Sequence, residues 1–192
     1  MNRLVSDEDE PLGDRVMHCL DLHSEAEQIF ETTGTDKETY AQIVYAAADF
    51  LSENGGDDIA MNLFFKHLQL CEELYGPDSL ASTHSLSNIG ATYLYFGKKK
   101  EGLHFLIKSL EIREKRLTPG HPDIVNNCLA VGIAYKSLND LPHTIDYFEK
   151  AKEAENDDVK KLSNSIEIIR QKKEKHDALT AFLESWGIEY LN

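Results

Sequence analysis

The chain has 192 residues, of which 41% are apolar and 28% charged, with a formal net charge of −14. A chain of that length and balance can bury an ordinary core, which excludes disorder throughout. No apolar run approaches the roughly 20 residues that span a bilayer, MNRLVSDEDE lacks an apolar signal core, and the excess of acid opposes the basic surface nucleic acid needs, so a cytoplasmic protein with no membrane insertion and no nucleic-acid partner is expected.

Residues 1–12, with Asp7-Glu8-Asp9-Glu10, read as an acidic, disordered arm, because such a composition cannot offset the entropy of ordering. Residues 13–37 follow as an amino-terminal half-repeat helix, marked by Val16, Leu20, Ala26 and Phe30. From 38 to 155 the pattern repeats. In 38–78 a helix A runs from about Thr39 to Glu53, stops at Gly55, and gives way to a helix B carrying Ala60 with Phe64. In 79–120 the same parts are Leu80 to Phe96, Gly97, and Gly102 with Leu106; in 121–157 they are Asp123 to Leu138, Asn139, and Thr144 with Phe148. Glycine and asparagine accept the left-handed conformation that closes a helix end. Pro119 and Pro122 cannot donate a backbone hydrogen bond, so helix B ends before them, while Pro122 suits the first turn of the next helix A. Residues 158–192 lose this register. Val159, Leu162, Ile166, Ile169, His176, Leu179 and Leu183 instead form one stripe, expected on a long helix that caps the apolar end of the array. Gly187 is expected to end that helix and to leave Trp186, Ile188, Tyr190 and Leu191 in a tail that folds back on it or serves as a ligand.

A shift of 42 residues carries Pro77 onto Pro119, Leu86 onto Cys128, Ile89 onto Val131, Gly90 onto Gly132 and Tyr93 onto Tyr135. Small residues meet small ones, and large meet large. The spaced sets Leu86-Ile89-Gly90-Tyr93 with Gly102-Leu106-Ser109, and Cys128-Val131-Gly132-Tyr135 with Thr144-Phe148-Ala151, resemble the tetratricopeptide repeat (TPR). The period and the phrase LEIREKRLTPGHPDIV are similar to the kinesin-light-chain type of that repeat. The resemblance implies an all-α fold, a right-handed α-solenoid of about three helical hairpins with an amino-terminal helix and a long carboxy-terminal cap. It also implies a non-enzymatic adaptor or scaffold that holds a peptide or helix of a protein partner on its concave surface. A structural subunit bound over convex and terminal surfaces is the alternative.

That concave surface is expected at the helix A positions turned away from each hairpin's core. These are Gln42, Tyr45 and Asp49; His84, Ser87, Asn88, Ala91 and Tyr95; and Asn126, Leu129, Ile133 and Lys136. Asn88, within LSNIG, falls where the family uses an asparagine against a bound peptide's backbone; Ala46 and Ala130 take the equivalent places. Tyr95, Leu129 and Ile133 either line an apolar stretch of the groove or pack repeat against repeat. Lys136 is the sole cation among these positions, so the lysine-rich carboxylate clamp of some relatives is absent. Lys98-Lys99-Lys100 is either a solvated loop or a contact for an acidic partner.

Signs of chemistry are lacking. The histidines at 18, 23, 67, 84, 104, 121, 143 and 176 form no metal-binding motif, and no phosphate loop or nucleophile elbow is present, so neither cofactor nor enzymatic activity is expected. Cys19, Cys71 and Cys128 have no disulfide spacing and are expected as reduced thiols in helices.

Overall fold

A computed structural model describes residues 11–34, 36–152, 166–175 and 177. Among these the secondary structure is helical, in the order α1 (Leu12–Thr33), α2 (Lys37–Glu53), α3 (Asp57–Tyr75), α4 (Leu80–Tyr95), α5 (Lys99–Arg116), α6 (Pro122–Ser137) and α7 (Leu141–Lys152), with residues 166–175 forming a further helix. The acidic run 7–10, the cap positions Val159, Leu162, His176, Leu179 and Leu183, and the Trp186 tail lie outside the described residues.

The turn from helix A to helix B takes one form three times. Gly55, Gly97 and Asn139 sit at φ of 83°, 76° and 61°, a region an L side chain enters at a cost that glycine avoids and asparagine reduces. The return to helix A is built differently. Asp36 caps α2 by accepting from the Thr39 amide at 3.1 Å, whereas His121 caps α6 through Nδ1, which accepts from the Asp123 amide at 3.1 Å, with Pro122 at the first helical position.

The chain divides into two compact bodies, Met1–Thr92 and Tyr93–Asn192, with the boundary inside α4. In the first, α2 and α3 form a hairpin whose interior holds Val44, Ala48, Leu51, Ala60 and Phe64, all wholly enclosed. One face of α1 rests on this hairpin: the Phe30 and Tyr40 rings stack at 4.6 Å, and Glu27 pairs with Lys66. No residue of α1 is buried. In the second body, Leu106, Leu110, Ile124, Val125, Cys128, Val131, Ala134 and Ala151 make one cluster across α5, α6 and α7. Ile166 and Ile169 close on Phe148 in another, so the stripe read from the sequence is buried against α7 at these two positions.

Candidate peptide-binding surface

The helix A positions divide by what they touch. In the first body Gln42 and His84 are exposed, and Tyr45 and Asp49 are half-buried. Tyr45 lies among the rings of Phe64, His67 and His84, with centroids 5.9, 5.1 and 6.1 Å away. It is wedged between α3 and α4 as well as forming surface. Asn88 donates from Nδ2 to the Tyr45 hydroxyl at 3.4 Å. Ser87 is half-buried and Ala91 exposed.

In the second body the three large apolar positions part company. Tyr95 is 75% exposed and Ile133 is 55% exposed. Leu129 is half-buried and packs against both core clusters, so for this residue the packing alternative describes the side chain. Asn126 and Lys136 are exposed. Tyr95 also meets the Phe96 ring at 5.5 Å, and Phe96 is 43% exposed.

The structure adds cations the sequence reading missed. Lys136 lines a cleft of about 1000 Å³ together with Lys172 and Lys173, over an apolar floor that includes Leu141 and Ile169. Asp140 and Asp177 also line it, and Asp140 is engaged by the His143 ring at 2.8 Å. Loss of the 42-residue register after residue 155 hid this, because no alignment places a lysine on the cap relative to α6. The Lys98–Lys100 cluster is partly occupied within the protein. Lys98 lies 5.6 Å from the centre of the Tyr93 ring, and Lys99 donates to the Ser137 carbonyl at the end of α6, a placement that offsets the negative end of that helix. Lys100 remains exposed.

Polar chemistry is enclosed elsewhere. The His67 Nδ1 and the Ser85 hydroxyl stand 2.7 Å apart, and the Cys71 sulfur lies 3.3 Å from His67 Nε2. Burial, helped by nearby His84, lowers the His67 pKa to about 4, so the ring is neutral at pH 7. Ser85 has no exposed surface and His67 only 8%, leaving no route for a substrate to this pair. Among the described residues, no group of three metal-ligating side chains converges and the cysteines are unpaired. No described helix is long and apolar enough to cross a membrane.

Residues 82–123, from the first turn of α4 to the start of α6, match the tetratricopeptide repeat family profile. Those residues carry one tetratricopeptide repeat. The match covers one full period, and the hairpins on either side repeat its spacing of small and large residues. Solved structures share the TPR fold at low identity. BtubC (BKLC) from P. vanneervenii superposes with a TM-score of 0.68 over 92% of this chain and 72% of its own, at 16% identity. The nearly identical TPR-like repeats assigned to a kinesin light chain of Podosopora anserina give 0.62 over 84% and 90%, at 14% identity. The N-terminal domain of stress-induced protein-1 (STI-1) from C. elegans gives 0.54 over 69% and 98%, at 18% identity. No curated protein matches the chain.

Proposed function

We propose that this TPR chain is a cytoplasmic, non-enzymatic adaptor that docks a peptide or helical segment of a protein partner on its helix A faces. The observation that carries the reading is the exposure of Tyr95 and Ile133. Helix α6 buries Ile124, Val125, Cys128 and Val131, yet leaves Ile133 in solvent. An exposed aromatic and an exposed aliphatic beside polar Asn126 and Lys136 suit an apolar anchor with a polar rim. Lys136, Lys172 and Lys173 supply the place for an acidic residue beside that anchor. Gln42, Asp49, His84 and Asn88 are the corresponding polar contacts in the first body. Reduced cysteines suit the cytoplasm, and the TPR resemblance supports protein interaction as the activity.

The test uses proteins that co-purify with the wild type, identified by mass spectrometry, and repeats the capture with Tyr95→Ala, Ile133→Ala. Loss of the partner with an unchanged melting temperature is expected. Retention of the partner by the folded variant favours the second reading, a structural subunit bound through convex and terminal surfaces, to which the exposed face of α1 lends support.

A further inference from the structure

The turn between α5 and α6 carries a hydroxyl that the fold does not use. Leu117-Thr118-Pro119-Gly120-His121 connects the end of α5 at Arg116 to the start of α6 at Pro122. The His121 amide donates to the Thr118 carbonyl at 3.1 Å and Gly120 sits at φ 80°, the pattern of a type II turn with Pro119 in its second place. A residue before proline is pushed out of the helical region toward extended backbone, and Leu117 is extended too, at φ −113° and ψ 159°. Leu117 and Thr118 thus form a short extended stretch ahead of the turn. Thr118, Pro119 and Gly120 are all exposed. Elsewhere the hydroxyls of Thr33, Ser52, Thr83, Thr92, Ser137 and Thr144 each donate to a carbonyl three or four residues back. Thr118 makes no such bond among the described residues. Nor does the turn require a side chain there, since the 42-residue shift puts Gly76 in the same place before Pro77. Of the five prolines, only Pro119 follows a serine or threonine.

We propose that Thr118 is a phosphorylation site for a proline-directed serine/threonine kinase. Kinases of that class accept, immediately after the acceptor, a residue with no backbone N–H, which is what Pro119 supplies. In the transfer the Thr118 Oγ1 attacks the γ-phosphorus of the kinase's bound nucleoside triphosphate. The bond from that phosphorus to the bridging oxygen breaks, the nucleoside diphosphate leaves, and the hydroxyl proton passes to the kinase's catalytic carboxylate. The phosphate brings nearly two negative charges at pH 7 to a turn whose flank, Lys115 and Arg116, is cationic and exposed. It offsets that positive charge at the point where α6, with Asn126 and Ile133 on its outer face, begins. The proposal stands apart from the docking reading, because it needs only the exposed turn and its single Thr-Pro pair.

The folded full chain is incubated with magnesium and ATP and, in separate reactions, with a cyclin-dependent and a mitogen-activated protein kinase; intact mass and peptide mapping read the product. A single phosphoryl group on Thr118 is expected. Thr118→Val should abolish incorporation, Thr118→Ser should keep it, and Pro119→Ala should lower its initial rate at least about tenfold. The positions are exposed, so these variants keep the wild-type melting temperature, and Thr118→Ser serves if another fails to fold. No incorporation with either kinase overturns the proposal, as does label found on other hydroxyls with Thr118 unmodified. So does labelling of a peptide of residues 112–125 but not of the folded chain, because the pair would then be readable only outside the fold. None of these results bears on docking, which the Tyr95 and Ile133 variants decide.

Discussion

Gly132 shows how tightly one residue can be constrained. A Cβ built there lies 2.4 Å from both Cδ1 and Cε1 of Phe148, so even Gly132→Ala forces the ring aside. The expected cost is about 1 to 3 kcal/mol, and more for Gly132→Leu. In a chain of this size that lowers the melting temperature by roughly 2 to 4 °C per kcal/mol, and adding Phe148→Leu to Gly132→Ala should restore part of the loss. His67 makes a second prediction. Its folded pKa of about 4 lies below the ordinary 6.5, so as pH falls the unfolded chain takes up the proton first. Stability from the neutral ring is present above about pH 6.5 and drains away between 6.5 and 4, up to about 3 kcal/mol. Urea melts at pH 7 and pH 5 should differ less in His67→Gln than in the wild type. The need for a small residue at 132 was legible because the repeat aligns it with Gly90 and Ala48. The burial of His67 was not, since Ser85 lies 18 positions away and nothing in the sequence says that the two meet.

Between one helix B and the next helix A, each hairpin junction carries a polar wedge at the same register. At the α3–α4 junction it is Cys71 and Ser85 with His67; 42 residues on, Arg113 and Asn127 take the places of Cys71 and Ser85 at the α5–α6 junction. There Arg113 is 5% exposed and donates from Nη1 to Asn127 Oδ1 at 2.7 Å, while Asn127 Nδ2 donates to the Leu106 carbonyl at 2.7 Å. Asn127→Ala removes an acceptor from a buried cation and a donor from a buried carbonyl, a loss of about 2 kcal/mol. Pairing it with Arg113→Met should recover much of that loss, because an apolar side chain needs no acceptor. Thermal melts of the single and double variants measure both effects. The helix A boundaries were legible to within about two residues, since the glycine and proline stops are local, whereas the first helix, read as 13–37, ends at Thr33. The two faces of α1 were not separated. Val16, Leu20 and Phe30 point to the hairpin, but Leu22 and Ile29 belong to another face, and a periodicity search that asks where one apolar stripe lies passes over a second.

At the scale of the chain, stacked hairpins respond to damage locally, because each element is stabilised chiefly by its nearest neighbours. Hydrogen exchange should therefore rise in α6 and α7 of Gly132→Ala while α2 and α3 keep their protection. Of the candidate surface, the sequence offered a set of helix A positions; which of them reach solvent came from packing, as Leu129 and Ile133 demonstrate from the same helix. The three cysteines have a further consequence. Cys71 and Cys128 lie in different bodies, 1% and 0% exposed, and burial raises each thiol to about 11. Cys19 on α1 is half-buried, and its thiol is also raised by burial. A thiol reagent attacks only the thiolate, and only where it can reach it. Cys71 and Cys128 can thus react only as fast as the helices around them open, which makes each a clock for its own half of the chain. A disulfide reagent that releases a coloured thiol should show one early equivalent from Cys19 and two late ones, and Gly132→Ala should bring forward the Cys128 step while leaving Cys71 on its original schedule.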